Sequence, residues 1–286
     1  MHEIFFDDSL CKGCSAFERM AKLQNEVILS PEKELQLKII LERRTGLTFV
    51  FLLGCLPVLA ESRNKYLRIV ASDKLFQLFR KTNILEYYQS ENLPKQLSLF
   101  DDESPAFRKI SSTEDIISLV KEGCIEAPIE MSDDLEAILT SRIGEMFQNS
   151  WEHADAKFVM GGKYFKQQKY KYCFSCYDTG VGIPARVNSF RMAQGLEKLL
   201  DLDALKWAMR KGNSTNAHGM IPRGVGLDLL KNFAKANKGA IRICSGKAVY
   251  ILNSSGDHYS SLQTPFIGTL FEMDIIADKT YKYILD

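Results

Sequence analysis

Glu145, Asn149 and His153 are three polar side chains spaced four residues apart near the middle of the chain. In a helix this spacing stacks them along one side. A carboxylate there can orient and deprotonate a water molecule, and an amide oxygen is a hard ligand suited to Mg²⁺. The imidazole can reach a phosphate. A solvated helix face has the same pattern, so these three residues alone do not define a site.

A glycine-containing loop, residues 178–184 (DTGVGIP), follows a predicted strand. Gly180 and Gly182 allow tight backbone turns and close approach of a ligand. Asp178, at the strand end, can accept a hydrogen bond from an amino group such as that of adenine. An ordinary glycine turn is the alternative, because D-T-G alone is common.

A second glycine-rich segment, residues 223–227 (RGVGL), begins a predicted helix that has an apolar stripe. Free N–H groups and the positive dipole end at such a helix start favour phosphate. Just upstream lies a polar loop, residues 211–216, that can fold over phosphates. The candidate phosphate-site residues are Arg223, Gly224, Val225, Gly226 and Leu227, with Ser214 and Thr215 from the polar loop. Neither a P-loop motif nor a Rossmann fingerprint is present.

The elements that carry these residues can be predicted from the pattern. Ser132 is an N-cap for a helix that runs to about residue 151 or 153, with Asp133 and Asp134 favourable at its positive end. Its apolar stripe consists of Leu135, Ile138, Leu139, Ile143, Met146 and Phe147. Strands are predicted at residues 157–161, 170–177, 240–244, 248–252 and 269–275, and a helix at 227–237. This order indicates an α+β sandwich.

The N-terminal half has a shorter pattern. Thr48–Leu53 predicts a buried strand, Pro57–Lys65 a helix, Tyr66–Ala71 a strand, and Lys74–Arg80 a helix with Ser72 as N-cap. This succession suggests a small α/β layer. Residues 89–112 form a loop-rich connection with room for one short strand. The length suits two domains, residues 1–125 and 126–286.

Taken together and in order, the segments of the C-terminal half resemble the GHKL ATPase superfamily, which includes gyrase, the Hsp90-type chaperones, histidine kinases and MutL. EMFQNSWEHADA (145–156) is similar to its N box, DTGVGIP (178–184) to its G1 box and RGVGLDLL (223–230) to its G2 box. The closing GTLF (268–271) is similar to the G-T strand under the adenine. The resemblance covers about residues 132–276. It implies a Bergerat-type α/β sandwich with a mixed, largely antiparallel sheet and helices on one face.

The resemblance also implies ATP and Mg²⁺ as ligands. Asn149 would bind Mg²⁺, Asp178 the adenine with help from Thr269, and the glycines at 180, 182, 224 and 226 would supply backbone contacts. Residues 185–222 would be the ATP lid. Family members that use water or a hydroxyl as nucleophile have a glutamate four residues before the asparagine, and Glu145 occupies that position.

A histidine autokinase is disfavoured. None of His2, His153, His218 and His258 lies in an H-E-x-x-[RN]-like helix ahead of the ATPase segment. The segment 46–88 resembles, by pattern alone, part of a STAS-type domain. The alternative is an unrelated small α/β interaction domain.

Composition limits the remaining possibilities. The chain has 37 Lys and Arg against 36 Asp and Glu, which disfavours a nucleic-acid-coating surface. The most apolar stretch, residues 48–60, is too short for a membrane helix, and the first ten residues lack signal-peptide features. We therefore expect a soluble, cytoplasmic protein.

Two C-x-x-C pairs invite a zinc interpretation. Cys173 and Cys176 lie in a predicted strand, where residues three apart point to opposite faces, so they do not chelate one ion. Cys11 and Cys14 lack a second pair. The odd total of seven cysteines predicts free thiols.

Three functions fit these observations. The first is a nucleotide-gated switch in which Glu145 activates water, with a protein partner bound through the N-terminal domain. The second is a serine/threonine kinase of the anti-sigma-factor type, which would phosphorylate a STAS-like partner. The third is an ATP-sensing module that does not hydrolyse the nucleotide. Nucleotide-gated dimerisation is common among the relatives, so a homodimer also stays open.

Overall fold

The two larger β-sheets alternate with two layers of helices in the described part of the chain. The computed structural model describes residues 2–7, 16–40, 47–71, 106–112, 114–119, 129–153, 156, 158–166, 171–210, 213, 225–276 and 282–284. The fold is mixed α+β, with one antiparallel five-stranded sheet and two smaller parallel sheets.

The N-terminal segment forms a three-stranded parallel sheet in the order β1-β2-β3. Its strands are β1 (His2–Asp7), β2 (Glu34–Ile40) and β3 (Tyr66–Ala71), joined by helices α1 (Ala16–Leu29) and α2 (Leu47–Ser62). The predicted strand Tyr66–Ala71 is confirmed. The predicted helix Lys74–Arg80 and its cap Ser72 lie outside the described residues.

The strand predicted at Thr48–Leu53 is wrong, because this segment is the first half of α2. Almost every described side chain of α2 is buried, so the helix is apolar on all sides and shows no helical period. Such a run cannot be told from a buried strand by periodicity. Pro57 lies within the helix, where it removes one backbone hydrogen bond.

The C-terminal segment forms the five-stranded antiparallel sheet in the order β4-β6-β7-β9-β8. Its strands are β4 (Ala106–Ile110), β6 (Val159–Lys166), β7 (Lys171–Asp178), β8 (Ala240–Asn253) and β9 (Gly256–Ile276). A short parallel pair joins β5 (Glu130–Met131) to β10 (Lys282–Tyr283). The strand that begins the large sheet, β4, precedes the predicted domain boundary at residue 125.

The helices of the C-terminal segment are α3 (Asp133–His153), α4 (Ile183–Ala193), α5 (Asp201–Ala208) and α6 (Val225–Ala236). Ser132 caps α3 as predicted: its Oγ accepts a hydrogen bond from the Leu135 N–H at 3.4 Å. The strands and helix expected after α3 are also present. The two strands predicted at 240–244 and 248–252 are one strand, β8, with an irregularity near Gly246.

The five-stranded sheet is apolar on both faces, and each face belongs to a different core. Helices α3, α5 and α6 pack on one face and form a core with Phe174, Ile243 and Phe271. Helices α1 and α2 pack on the opposite face, against Tyr177 and Leu270 among others. Within the C-terminal segment, the helices α3, α5 and α6 thus lie on one face of the sheet, and the helices of the N-terminal segment cover the other. No described helix is both long enough and apolar enough to cross a membrane.

Cys173 and Cys176 illustrate the two faces. Cys173 is buried in the core shared with α1 and α2, and Cys176 in the core shared with α3. This confirms that the pair points in opposite directions. Cys11 and Cys14 lie outside the described residues.

Candidate functional site

Asp178 is the most deeply buried of the described candidate side chains. It ends β7, pairs with Thr269 of β9, and is only 1% exposed. Its Oδ1 accepts a hydrogen bond from the Gly180 N–H at 2.9 Å. The backbone N–H and the hydroxyl of Thr269 and the hydroxyl of Ser150 also donate to the carboxyl group. Asp178 and Thr269, predicted to act together, therefore lie in contact.

Burial raises the pKa of Asp178 to about 7, because removal from water penalises the charged carboxylate. The hydrogen bonds from Gly180, Ser150 and Thr269 oppose this rise. Near neutral pH the carboxyl group can thus act as an acceptor or hold a proton. A strongly perturbed carboxyl group at a strand end is characteristic of functional sites, although structural networks can also produce one.

Gly182 and Gly268 bring two backbone segments together beside Asp178. Both have positive φ angles, +85° and +83°, which favour glycine. A Cβ atom on Gly268 would overlap the carbonyl oxygen of Asp178, and one on Gly182 would lie 2.7 Å from Ser245 Oγ. Glycine is therefore required sterically at both positions. At Gly182 the close neighbour is Ser245, so the predicted close approach of a ligand there stays a prediction.

Ser245 links the three segments around the site and is fully buried. Its Oγ accepts a hydrogen bond from the Ile183 N–H at 2.8 Å and donates to the Gly268 carbonyl at 3.1 Å. It also lies 3.1 Å from Thr269 Oγ1. The hydroxyl thereby ties the start of α4 to β9. No motif singled out Ser245, because an isolated serine in a strand carries no signal in one sequence.

Ser150 joins α3 to the same site. Its hydroxyl bonds the Asp178 carboxyl and lies 3.6 Å from Cys176 Sγ. Its Oγ also lies 3.2 Å from the Met146 carbonyl oxygen, which is an alternative acceptor for its single proton. The spacing of polar residues singled out Glu145 and Asn149 on this helix but missed Ser150. The signal that could have identified Ser150 is its position in the N-box-like segment, directly after Asn149.

Glu145 lies on α3 with a partly exposed side chain, at 41%. Its carboxylate forms an ion pair with Arg142, one helical turn earlier. The side chain is thus partly accessible to solvent and ion-paired. A partly exposed carboxylate on the helix that contacts Asp178 can serve as a base for a water molecule.

Several predicted site residues are described only in part or lie outside the described residues. Asn149 and His153 lie on α3, but their side chains are outside the described part of the chain. Ser214, Thr215, Arg223 and Gly224 are also outside it. Val225 and Gly226 are the first two residues of α6, and Leu227 follows them, partly buried against the core that α6 shares with α3.

The segment expected to be an ATP lid, residues 185–222, is partly a packed structure. Helices α4 and α5 occupy its first half, and Val187, Ala204 and Leu205 are at most 1% exposed. Asp201 Oδ2 also accepts a hydrogen bond from the Lys247 N–H of β8 at 2.7 Å. The part of the predicted lid at residues 185–210 is therefore packed structure, and residues 211, 212 and 214–222 lie outside the described part of the chain.

A second polar cluster lies on the opposite face of the sheet, toward α1 and α2. Cys173, Glu272 and Asp274 approach closely enough to suggest a cation site. Arg242 already bonds Glu272 at 2.5 Å and Asp274 at 2.9 Å. Lys171 lies 3.8 Å from Asp274. The cluster is therefore charge-compensated by cationic side chains, and it is separate from the predicted Mg²⁺ site.

Comparison with known proteins gives no match, either to a model of a protein family or to a curated protein.

Proposed function

We propose that this chain binds Mg²⁺-ATP in a Bergerat-type pocket and hydrolyses it as a nucleotide-gated switch of the GHKL type. The observation that carries the proposal is the buried Asp178–Thr269 pair between Gly182 and Gly268, beside helix α3. These residues come from three separate motif-like segments. An ordinary glycine turn does not require a buried carboxyl group with a raised pKa.

Each part of the proposed site has a chemical task. Ionised Asp178 accepts a hydrogen bond from the adenine amino group, with Thr269 beside it. Gly180 and Gly182 let the ligand approach the backbone. The N-terminus of α6, at residues 225 and 226, supplies N–H groups to phosphate. Asn149 would hold Mg²⁺, which neutralises phosphate charge when bound. An amide oxygen is a hard donor of the kind that this cation prefers.

Glu145 is the proposed general base. It precedes Asn149 by one helical turn, so both positions lie on the same side of α3. A carboxylate in hydrogen-bond reach of a water molecule can orient it and accept its proton. In the structure the Glu145 carboxylate forms an ion pair with Arg142, one turn earlier on α3. Hydrolysis would then reset the switch.

The position of helices α1 and α2 bears on the alternative that the protein is a serine/threonine kinase. Helices α1 and α2 lie on the face of the sheet opposite α3. A serine or threonine on either helix is therefore separated from the proposed phosphate site by the sheet. This geometry disfavours phosphoryl transfer to these helices within one molecule. A separate protein would have to supply the acceptor hydroxyl.

Nucleotide binding is tested by calorimetric titration of the protein with Mg²⁺-ATP, comparing the wild type with Asp178→Asn. Loss of a hydrogen bond to a charged acceptor should weaken binding at least about tenfold. Asp203→Asn is the matched control, because Asp203 is an exposed carboxylate on α5. Equal affinity in the wild type and Asp178→Asn would contradict the adenine-binding role.

Measuring where the γ-phosphate of ATP goes distinguishes the ATPase switch, the kinase and the ATP-sensing module. γ-Labelled ATP should yield free phosphate with the wild type, whereas Glu145→Gln should bind ATP and lose hydrolysis by about a hundredfold or more. Glu136→Gln on the same helix should hydrolyse ATP normally. Label on protein would favour the kinase, and tight binding without turnover would favour the sensing module. Unchanged turnover in Glu145→Gln would exclude it as the base.

A further inference from the structure

A stretch of β9 immediately before the Asp178 site lacks regular strand partners. β8 pairs Ser245 with Thr269, Gly246 with Phe266 and Ala248 with Ser261. Between these pairs β9 has several more residues than β8, so part of 262–268 has no ladder partner on β8. β7 ends at Asp178, opposite Thr269, and provides no partner further along. Buried backbone N–H and C=O groups need other partners.

Helix α1 supplies them from the far face of the sheet. Glu18 accepts hydrogen bonds from the N–H groups of Gln263 and Thr264 at 2.9 and 3.1 Å. Asn25 donates to the Pro265 carbonyl at 2.7 Å. These side chains replace the missing strand partners. The irregular part of β9 is therefore shaped by α1 as well as by its neighbouring strands.

Gln24 makes the contacts nearest the site and is 1% exposed. Its Oε1 accepts from the Ile267 N–H at 2.8 Å, and its Nε2 donates to the Ile267 carbonyl at 3.1 Å. Nε2 also donates to the Tyr177 hydroxyl at 3.0 Å, and that hydroxyl donates to the Ile267 carbonyl at 3.0 Å. Both polar groups of the Ile267 backbone are thus held.

Ile267 and Tyr177 each precede residues of the site by one or two positions. Ile267 is followed by Gly268 and Thr269, and Tyr177 by Asp178. Gly268 cannot shift far, because its positive φ and its contact with the Asp178 carbonyl leave little room. Any movement at Ile267 therefore passes to Thr269 and to the hydrogen bonds that it gives Asp178.

We propose that Gln24 and Tyr177 are positioning residues, which fix the Ile267–Thr269 backbone through the sheet and so set the geometry of the Asp178 pocket. The consequence for ATP affinity rests on the proposed function, whereas the effect on the backbone does not. Helix α1 then links the N-terminal sheet to the pocket. By thermodynamic reciprocity, ligand binding in the pocket should also stabilise the docking of α1.

Two variants test the proposal in the full chain: Gln24→Ala, and Tyr177→Phe, which keeps the ring and removes only the hydroxyl. Thr48→Val is the matched control. It deletes one hydrogen bond between α2 and the same face of the sheet, from Thr48 Oγ1 to Glu272 at 2.9 Å, at a site remote from Ile267 in the strand. All three variants are compared at equal temperature below their unfolding midpoints.

The first readout needs no nucleotide. Amide hydrogen exchange in peptides spanning residues 266–270 should be faster in Gln24→Ala and Tyr177→Phe by about threefold to tenfold, and unchanged in Thr48→Val. Equal exchange at residues 266–270 in all proteins would overturn the proposal. This result stands whether or not the wild type binds ATP.

The second readout is catalytic. The KM for ATP should rise by about threefold to tenfold in Gln24→Ala and Tyr177→Phe, with kcat little changed, and both constants should be unchanged in Thr48→Val. A purely structural role would lower the amount of active protein and leave KM alone, and that outcome would overturn the pocket-setting role. If the wild type binds no ATP, the proposed function fails and the exchange result alone decides the positioning role.

Discussion

The carboxyl group of Asp178 combines an unfavourable environment with several hydrogen-bond donors. Desolvation raises its pKa to about 7, and donors from Gly180, Ser150 and Thr269 limit the rise. Holding such a group costs stability when it is ionised. Proteins commonly accept this cost where a buried acceptor serves a ligand.

The raised pKa makes stability depend on pH in a defined direction. Below about pH 3 the carboxyl group is protonated in both the folded and the unfolded chain. Between there and the folded pKa of about 7 only the unfolded chain ionises, so the free energy of unfolding falls as pH rises. The limiting slope is about 1.4 kcal/mol per pH unit, and the loss is complete above the folded pKa.

Asp178→Asn should therefore gain stability relative to the wild type as pH rises from 5 to 8, because the amide does not ionise. Urea denaturation of both apoproteins at these two pH values measures the difference. The gain between the two pH values should be on the order of 2–3 kcal/mol. A difference between the proteins that does not change with pH would show that Asp178 has an ordinary pKa.

At the scale of elements, the close contact between β7 and β9 at the site depends on one glycine. Gly268 has a φ of +83° and lies against the Asp178 carbonyl oxygen. Gly256, the first residue of β9 after the β8–β9 turn, has a φ of +108°, and no atom of the described residues comes within 4 Å of the place where its Cβ would lie. A substitution at Gly256 therefore tests backbone strain alone, whereas a substitution at Gly268 tests backbone strain together with steric overlap.

Gly256→Ala should cost about 1–2 kcal/mol of unfolding free energy, the penalty of a strained φ for a residue with a Cβ. Gly268→Ala should cost several kcal/mol, since it adds an overlap with backbone atoms that have no free space. Chemical denaturation of both variants tests this order. Similar losses in the two would mean that β9 moves away from Asp178 at little cost.

At the scale of the molecule, the five-stranded sheet is a layer shared by two hydrophobic cores, one on each face. Its second face is covered by α1 and α2, which themselves lie under the parallel sheet β1–β3. Tyr177, Phe266 and Leu270 of this face are nearly inaccessible to solvent. Without the N-terminal segment they would form an exposed apolar surface, which soluble folds rarely tolerate.

A fragment of residues 102–286 keeps β4 and all later elements but loses this cover. We expect it to bind a hydrophobic dye more strongly than the full chain and to unfold at lower urea concentration. Dye fluorescence and urea denaturation of both proteins provide the measurement. An unchanged urea midpoint would mean that the C-terminal segment is stable by itself.

Local pattern was enough to predict several of the C-terminal elements. The Ser132 cap and the apolar stripe after it predicted α3, and the β-rich runs predicted β6, β7 and the last third of β9. These predictions succeeded because capping and side-chain periodicity act over a few residues. Helix α2 was misassigned for the opposite reason, since a helix buried all round has no period to detect. The elements β1, α1 and β2 were not predicted at all.

The sequence by itself determined which residues could form the site: Asp178, the glycines at 180 and 182, and Glu145 stand out by type and spacing, and Gly268 and Thr269 through the resemblance to the GHKL superfamily. Only the tertiary structure decided which of them meet, because contact between β7 and β9 depends on pairing across some ninety residues of chain. It also brought in Ser150 and Ser245, and Gln24 from the other side of the sheet. Their importance lies in hydrogen bonds between distant segments, which a local pattern cannot encode.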